Sequence, residues 1–312
     1  MIFSFIKQFK KKGVLGINAR NGNYLFKYNQ RRYFPLVDDK IKTKNLAQEH
    51  GIAVPELYGI IEYNSQLSKL AHLLAPYHQF VIKPAQGAGG DGIIVITGKF
   101  KEYFRRSNGS LISLDELQYH ISCILSGNYS LGSHPDKAMI EYCIQADPVF
   151  EHICYQGVPD IRIIVLKGYP VMAMLRLPTR SSDGKANLHQ GAIGVGIDLA
   201  DGITHEGVWH DKIIDIHPDT LQPVANKRVP HWQKCLLLAA QCYEMTHLGY
   251  LGVDLILDRE QGPLMIELNA RPGLNIQLAN HCGLEHKYKL IEQQTEKRTA
   301  LERVIFSQEH LI

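Results

Sequence analysis

The run GVDLILDREQGPLMIELNARPGL constrains this chain more than any other stretch, because it places two carboxylates and an amide inside otherwise apolar segments. Its apolar residues predict strands over 253–257 and 264–269, joined across a short polar turn. Glu267 and Asn269 are two apart on a strand and therefore share a face. Folding the hairpin about Glu260 brings Asp254 opposite Glu267, so three oxygen donors converge. Carboxylates among apolar strand residues cost free energy unless a cation or hydrogen bonds compensate. The competing reading is an edge strand facing water. Hard oxygens from Asp254, Glu267 and Asn269 suit Mg²⁺, with Mn²⁺ as an alternative ion, because Mg²⁺ retains coordination positions for water and substrate phosphates.

A second signal lies between residues 80 and 97. A strand over 80–83 ends at Lys83, a glycine-rich loop spans 85–92, and the β-branched run Ile93, Ile94, Val95 and Ile96 starts another strand. Gly87, Gly89 and Gly92 satisfy Gly-x-Gly-x-x-Gly, but the dinucleotide fingerprint requires a helix after the loop, and here a strand follows. A strand–loop–strand flap is the consistent reading. Glycines such as Gly87, Gly89 and Gly90 allow close approach and leave backbone N–H groups directed at phosphate oxygens. Lys83 could set an ammonium against a phosphate, the alternative being a solvated strand-end lysine. The Walker pattern is absent.

Along the rest of the chain, residues 38–51 read as a helix capped by Asp38 and stopped by Gly51. Further helices are expected at 65–74, 115–125, 233–247 and from about Glu285 onward, with strands at 138–144 and a hairpin over 160–166 and 171–176. Residues 178–190 form a polar, irregular stretch. Arg162, Arg176, Arg180, Lys185, Asn187 and His189 supply donors suited to phosphate or carboxylate, although each alone reads as a surface group. His205 and His210 in HEGVWH miss the zincin spacing by one residue, so zinc is disfavoured.

Composition excludes several classes. The 312 residues, 45% hydrophobic and 21% charged, match a globular protein with a substantial core. A net charge of +3 without a zinc pair or arginine run gives no nucleic-acid signature. The six cysteines show no Cys-x-x-Cys pair and read as reduced thiols, consistent with a cytoplasmic protein. No apolar run reaches the roughly 18 residues of a membrane span. Residues 1–12 mix phenylalanines and isoleucines with four lysines; a packing helix is the first reading and a weak peripheral membrane contact the second. The oligomeric state is not encoded in any recognisable pattern.

The ordered set VDDKIKTK, VIKPAQG, the glycine flap, IEY, PDIR, ANLHQG and IELNARPG resembles the ATP-grasp superfamily, over roughly residues 35–283. Within it, the chain is similar to alpha-L-glutamate ligase-like proteins related to the ribosomal-protein glutamate ligases. The resemblance implies an α+β, ATP-grasp fold, two α+β lobes clasping ATP between them. It divides the chain into a short N-terminal arm (1–35), an N-terminal lobe with the flap (36–142) and a C-terminal lobe with the metal-binding hairpin and closing helix (143–312). It also implies that Lys40 and Lys83 contact ATP phosphates, that Glu141 and Tyr142 form the adenine hinge and that Asp160 reaches the nucleotide. Lys185 and Asn187 would line the phosphate side, and Asp254, Glu267 and Asn269 would hold Mg²⁺.

The implied reaction is ATP-dependent joining of a carboxylate to an amine through an acyl phosphate, with glutamate or a similar amino dicarboxylate added to a peptide or small acceptor. Arg162, Arg176 and Arg271 are the candidates for stabilising the developing charge. A phosphotransferase and a non-catalytic ATP-binding module are the rival readings. Three departures bear on substrate choice. The chain before Pro35 is too short for the nucleotide-fold domain that usually precedes the grasp, so part of the acceptor site would be missing or come from a partner. Gln190 stands where these ligases carry arginine in LHRG, and residues 145–159 run long.

Overall fold

The computed structural model describes residues 11–87 and 89–311. The amphipathic start read at residues 1–12 therefore lies, up to residue 10, outside the described residues. The fold is α+β, with mixed helices and two antiparallel sheets. The chain divides into two compact units: the smaller holds Asp39–Lys44 and Val54–Gln145, the larger the chain up to Asp38, Asn45–Ala53 and everything from Ala146 onward.

The smaller unit carries a six-stranded sheet. Its strands are β1 (Leu57–Ile61), β2 (Phe80–Pro84), β3 (Ile94–Phe100), β4 (Tyr103–Arg106), β5 (Leu111–Ile112) and β6 (Ala138–Glu141), in the order β1-β6-β2-β3-β4-β5. Phe80, Ile82, Ile96 and Ile140 face a single core with Leu117, Ile121 and Ile124 of the Leu114–Leu125 helix. That helix begins where its sequence says it should: Ser113 Oγ accepts the Glu116 N–H at 3.2 Å, and the Glu116 carboxylate accepts the Ser113 N–H at 2.7 Å. At the start of the Lys40–Glu49 helix the capping oxygen belongs to Asp39, which accepts from the N–H groups of Ile41 and Lys42, and not to Asp38 as the sequence suggested.

In the larger unit seven strands line up as β11-β10-β9-β8-β7-β12-β13. They are β7 (Asp160–Leu166), β8 (Tyr169–Leu177), β9 (Ile193–Ile197), β10 (Thr204–Trp209), β11 (Lys212–Ile214), β12 (Tyr250–Asp258) and β13 (Gly262–Asn269). The helices Trp232–Thr246 and Ala300–His310 pack on it. β9 to β11 escaped the sequence reading because β9 is IGVGI, whose glycines interrupt the apolar pattern. Gly196 is required: a Cβ there would sit 2.6 Å from the Ala279 carbonyl oxygen. The expected single closing helix is two, Glu285–Glu292 and Ala300–His310, because Thr299 and Glu302 form a capping box that starts the second.

Residues 11–35, which had no clear period, are short helical turns stitched to the larger unit. The Asn29 amide donates to the Tyr250 carbonyl at 2.7 Å and accepts the Tyr250 N–H at 2.8 Å, while Arg20 Nη1 donates to the Pro272 carbonyl at 2.9 Å. All six cysteines are free. Among the described residues no helix is long and apolar enough to cross a membrane.

Ile121, fully buried between helix and sheet, tests the smaller core. Ile121→Ala is expected to lower stability by about 2–5 kcal/mol, read from the urea midpoint; an unchanged midpoint would contradict this packing.

Candidate functional site

Three charged clusters, each inside one unit, carry the candidate residues. In the smaller unit Lys83 on β2 and Glu141 on β6 are diagonal cross-strand neighbours, since Lys83 pairs with Met139 and Val81 with Glu141. Lys83 Nζ lies 2.5 Å from Glu141 Oε1. The other carboxylate oxygen is taken by Lys44, which also donates to the Pro55 carbonyl at 2.6 Å. All three side chains are buried. Burial alone would raise the Glu141 carboxyl, but Lys83 and Lys44 outweigh it and hold the group below its ordinary value. Burial lowers Lys44, against the pull of Glu141. One carboxylate between two ammoniums leaves this cluster with a surplus positive charge, the sign a phosphate seeks. Tyr142, next along, donates its N–H to the Glu56 carbonyl at 2.8 Å.

The second cluster fixes the glycine loop. Lys40 Nζ donates to the Gly87 carbonyl at 2.6 Å and Lys40 N–H to the Ala85 carbonyl at 3.0 Å. Gly89 and Gly90 have φ of 69° and 83°, the left-handed region where a side chain is strained. The buried Asp136 braces the loop's base, accepting from the Gln86 N–H at 2.9 Å and the Ser130 hydroxyl at 2.7 Å.

The third cluster lies in the larger unit. Asp254 pairs in register with Glu267 on β13 and with Arg162 on β7, so these three side chains form a row on one face. Asp254 accepts from Arg162 Nε, from Arg162 Nη2 at 2.6 Å and from Arg176 Nη2 at 2.8 Å. Arg176 also forks onto Asp160, through Nε and through Nη2 at 2.5 Å. Burial would raise Asp254, yet Arg162 and Arg176 together hold it below its ordinary value. Asp160 is pushed up to about 6, by burial first and by the Asp254 charge, against Arg176 and Arg162. Two guanidiniums face two aspartates, and Glu267 extends the row onto β13.

The other sequence candidates make the following contacts. Arg271 is half-exposed, stacked over Phe34 with its guanidinium carbon 4.5 Å from the ring centre and its Nη1 3.9 Å from Asp38 Oδ1. Asn269 Oδ1 accepts the Arg271 N–H at 2.7 Å. Asn187 Oδ1 caps its own turn on the His189 N–H at 3.0 Å, and the Lys185 N–H closes a turn on Ser182. Sequence reasoning missed Lys44 and Asp136. Lys44 stands four residues after Lys40 on one helix, a same-face spacing that could have flagged it; Asp136 carried no local signal. Among the described residues no three His, Cys, Asp or Glu side chains are arranged to hold a metal ion, so a metal here would rest on two carboxylates and an amide.

These pairings set the acid limb of stability. Glu141, with an ordinary value of 4.5, is held lower in the folded state, so its contribution is present above that value and is lost as pH falls through the folded pKa. Unfolding free energy measured in urea from pH 6 down to 3 should therefore fall with pH, and fall less steeply in Glu141→Gln; parallel profiles would contradict the pairing. Lys44→Met should cost about 3–5 kcal/mol by leaving a buried charge half-partnered.

A family model for sugar-transfer associated ATP-grasp proteins matches residues 19–293. No curated protein matches the sequence. Among solved structures, the D-alanine-D-alanine ligase from Coxiella burnetii is 14% identical with a TM-score of 0.47, the match covering 90% of this chain and 61% of that one. A RiPP-associated ATP-grasp ligase from Chryseobacterium gregarium, solved with ADP and a leader and core peptide, is 14% identical with a TM-score of 0.48, over 88% of this chain and 65% of that one. A D-cycloserine synthetase is 14% identical with a TM-score of 0.43, over 90% and 71%. The chain spans less than two thirds of the length of the first two. With the family model covering most of its length, the chain belongs to the sugar-transfer associated ATP-grasp family.

Proposed function

We propose that this chain is an ATP-dependent carboxylate-amine ligase that forms an amide or peptide bond through an acyl phosphate, using Mg²⁺ or, alternatively, Mn²⁺. The observation that carries the reading is the row Glu267, Asp254 and Arg162, with Arg176 and Asp160 beside it: acids and arginines held together in a buried sheet. A cluster that only stabilised the fold could be apolar at less cost in desolvation. ATP supplies the phosphoryl group that activates the carboxylate, and the divalent ion neutralises charge on the phosphates.

The donor set fits that ion. A carboxylate has about four lone-pair positions, and the arginine bonds to Asp254 are three. A position therefore remains for a cation, with Glu267 across the strand pair and Asn269 two residues on. Arg162 and Arg176 fix the Asp254 carboxylate in one orientation, and a guanidinium has further N–H donors with which to meet an anionic acyl phosphate. Arg271 is the third arginine proposed for that charge. Lys40 and Lys83 are assigned to ATP phosphates, with the N–H groups of Gly87, Gly89 and Gly90 covering them. Glu141 and Tyr142 are assigned to the adenine hinge, Asp160 to the nucleotide, and Lys185 and Asn187 to the phosphate side.

For the acid, glutamate or a similar amino dicarboxylate is proposed, and a peptide or small molecule for the acceptor. This finer reading follows the likeness of the DIR and IELNARPG motifs to the glutamate ligases. Chemistry of this kind relies on positioning and charge neutralisation, without a protein nucleophile.

Purified protein should release ADP only when an acid and an amine are both present. A stable phosphorylated product would instead identify a phosphotransferase, and ATP binding without turnover a binding module. Glu267→Ala should lower turnover by about 10²–10³-fold or more with an unchanged melting temperature; full activity in that variant would refute the metal assignment.

A further inference from the structure

The larger unit contains a cavity of about 510 Å³ that none of the assignments above uses. One of its walls is Met172 on β8, four residues from Arg176, so it opens about 13 Å along the strand from the acid–arginine cluster. Its floor is aliphatic: Met172, Ile197, Leu199 and Leu311 are buried, and Leu290 is half-buried beside them. Its rim is basic: Lys12, His205, His286 and His310 are exposed at the mouth.

Between floor and rim stands Lys287, half-buried on the Glu285–Glu292 helix. Its ammonium donates to the Leu311 carbonyl and has three N–H donors in all, so two remain for another acceptor. Asp198 is the carboxylate in the lining, and one of its oxygens is engaged by the Ala200 N–H at 2.7 Å. Burial holds Lys287 below its ordinary value, against the weaker influence of Cys282 and Asp198. An anion seated beside it would relieve that penalty.

We propose that this cavity binds a small amphiphilic carboxylate, with the aliphatic body on the Met172–Leu199–Leu290 floor and the carboxylate on Lys287. The volume lies in the range of small-molecule sites, which pair an apolar lining with a few placed polar groups. The basic side chains of the lining are lysines and histidines, without arginine. Phosphate recognition favours the planar guanidinium fork, whereas a lone ammonium suffices for a carboxylate. The site is independent of the ligase reading, because it shares no residue with the acid–arginine cluster.

The test is calorimetric titration of the full chain at pH 7 with octanoate, octanol and acetate. Octanoate should bind saturably at one site, and both octanol and acetate at least about tenfold more weakly, since one lacks the charge-assisted bond and the other the buried chain. Lys287→Met should weaken octanoate by about tenfold or more. His310→Glu, which adds a negative charge at the exposed rim, should weaken it in the same direction and serves should Lys287→Met fail to fold. Glu267→Ala should bind octanoate like the parent. Non-saturable heat, equal affinity for acetate, or unchanged affinity in the folded lysine and histidine variants would overturn the proposal.

Discussion

Asp254 lies deep in the seven-stranded sheet, and a carboxylate there can stay ionised only because two guanidiniums reach it. Those arginines are in turn oriented by strand register: Arg162 faces Asp254 directly across β7 and β12, and Arg176 faces Asp160 across β7 and β8. Each charge is positioned by another, and all are positioned by hydrogen-bonded backbones whose remaining side chains are apolar. A register slip of one residue on β12 would turn Asp254 to the opposite face and leave both arginines in the sheet without it. The smaller unit solves the same problem with opposite sign, placing two buried lysines on the single carboxylate of Glu141.

A protein seeking stability alone gains little from buried ion pairs, because desolvation consumes much of their attraction. Polar groups kept at that cost are preorganised, and preorganised charge is what phosphoryl and acyl transfer require. With two lysines on one carboxylate, the smaller unit carries the sign that the proposed phosphates need.

Much of the fold was legible because long unbroken apolar runs bounded by turn residues leave little choice. β7, β8, β12 and β13 are nearly continuous apolar stretches, but a count around Glu260 alone sets Ile266 opposite Asp254; an irregularity between Asp254 and Leu255 advances the pairing by one residue to Glu267. β9 was illegible since its glycines serve close packing against Ala279 instead of a hydrophobic face. The cap of the Lys40–Glu49 helix was displaced by one residue because Asp38 and Asp39 are chemically equal candidates, and only the backbone decides between them. Of the candidate site, the sequence pointed to the charged strand residues but not to their partners. That Lys44 shares Glu141 with Lys83, or that Arg176 bridges Asp160 and Asp254, depends on contacts between residues distant in sequence. Nothing local in the sequence encodes them.

In the proposed reaction a carboxylate oxygen attacks the γ-phosphate of ATP, giving an acyl phosphate and ADP, and an amine then attacks the acyl carbon and displaces phosphate. Oxygen transfer reports this directly. With amino acids labelled by ¹⁸O in their carboxylates, unlabelled ATP and an amine mixture, the account predicts one ¹⁸O atom in the inorganic phosphate released for each amide bond formed. Amide formation with unlabelled phosphate, or with label in AMP, would contradict it.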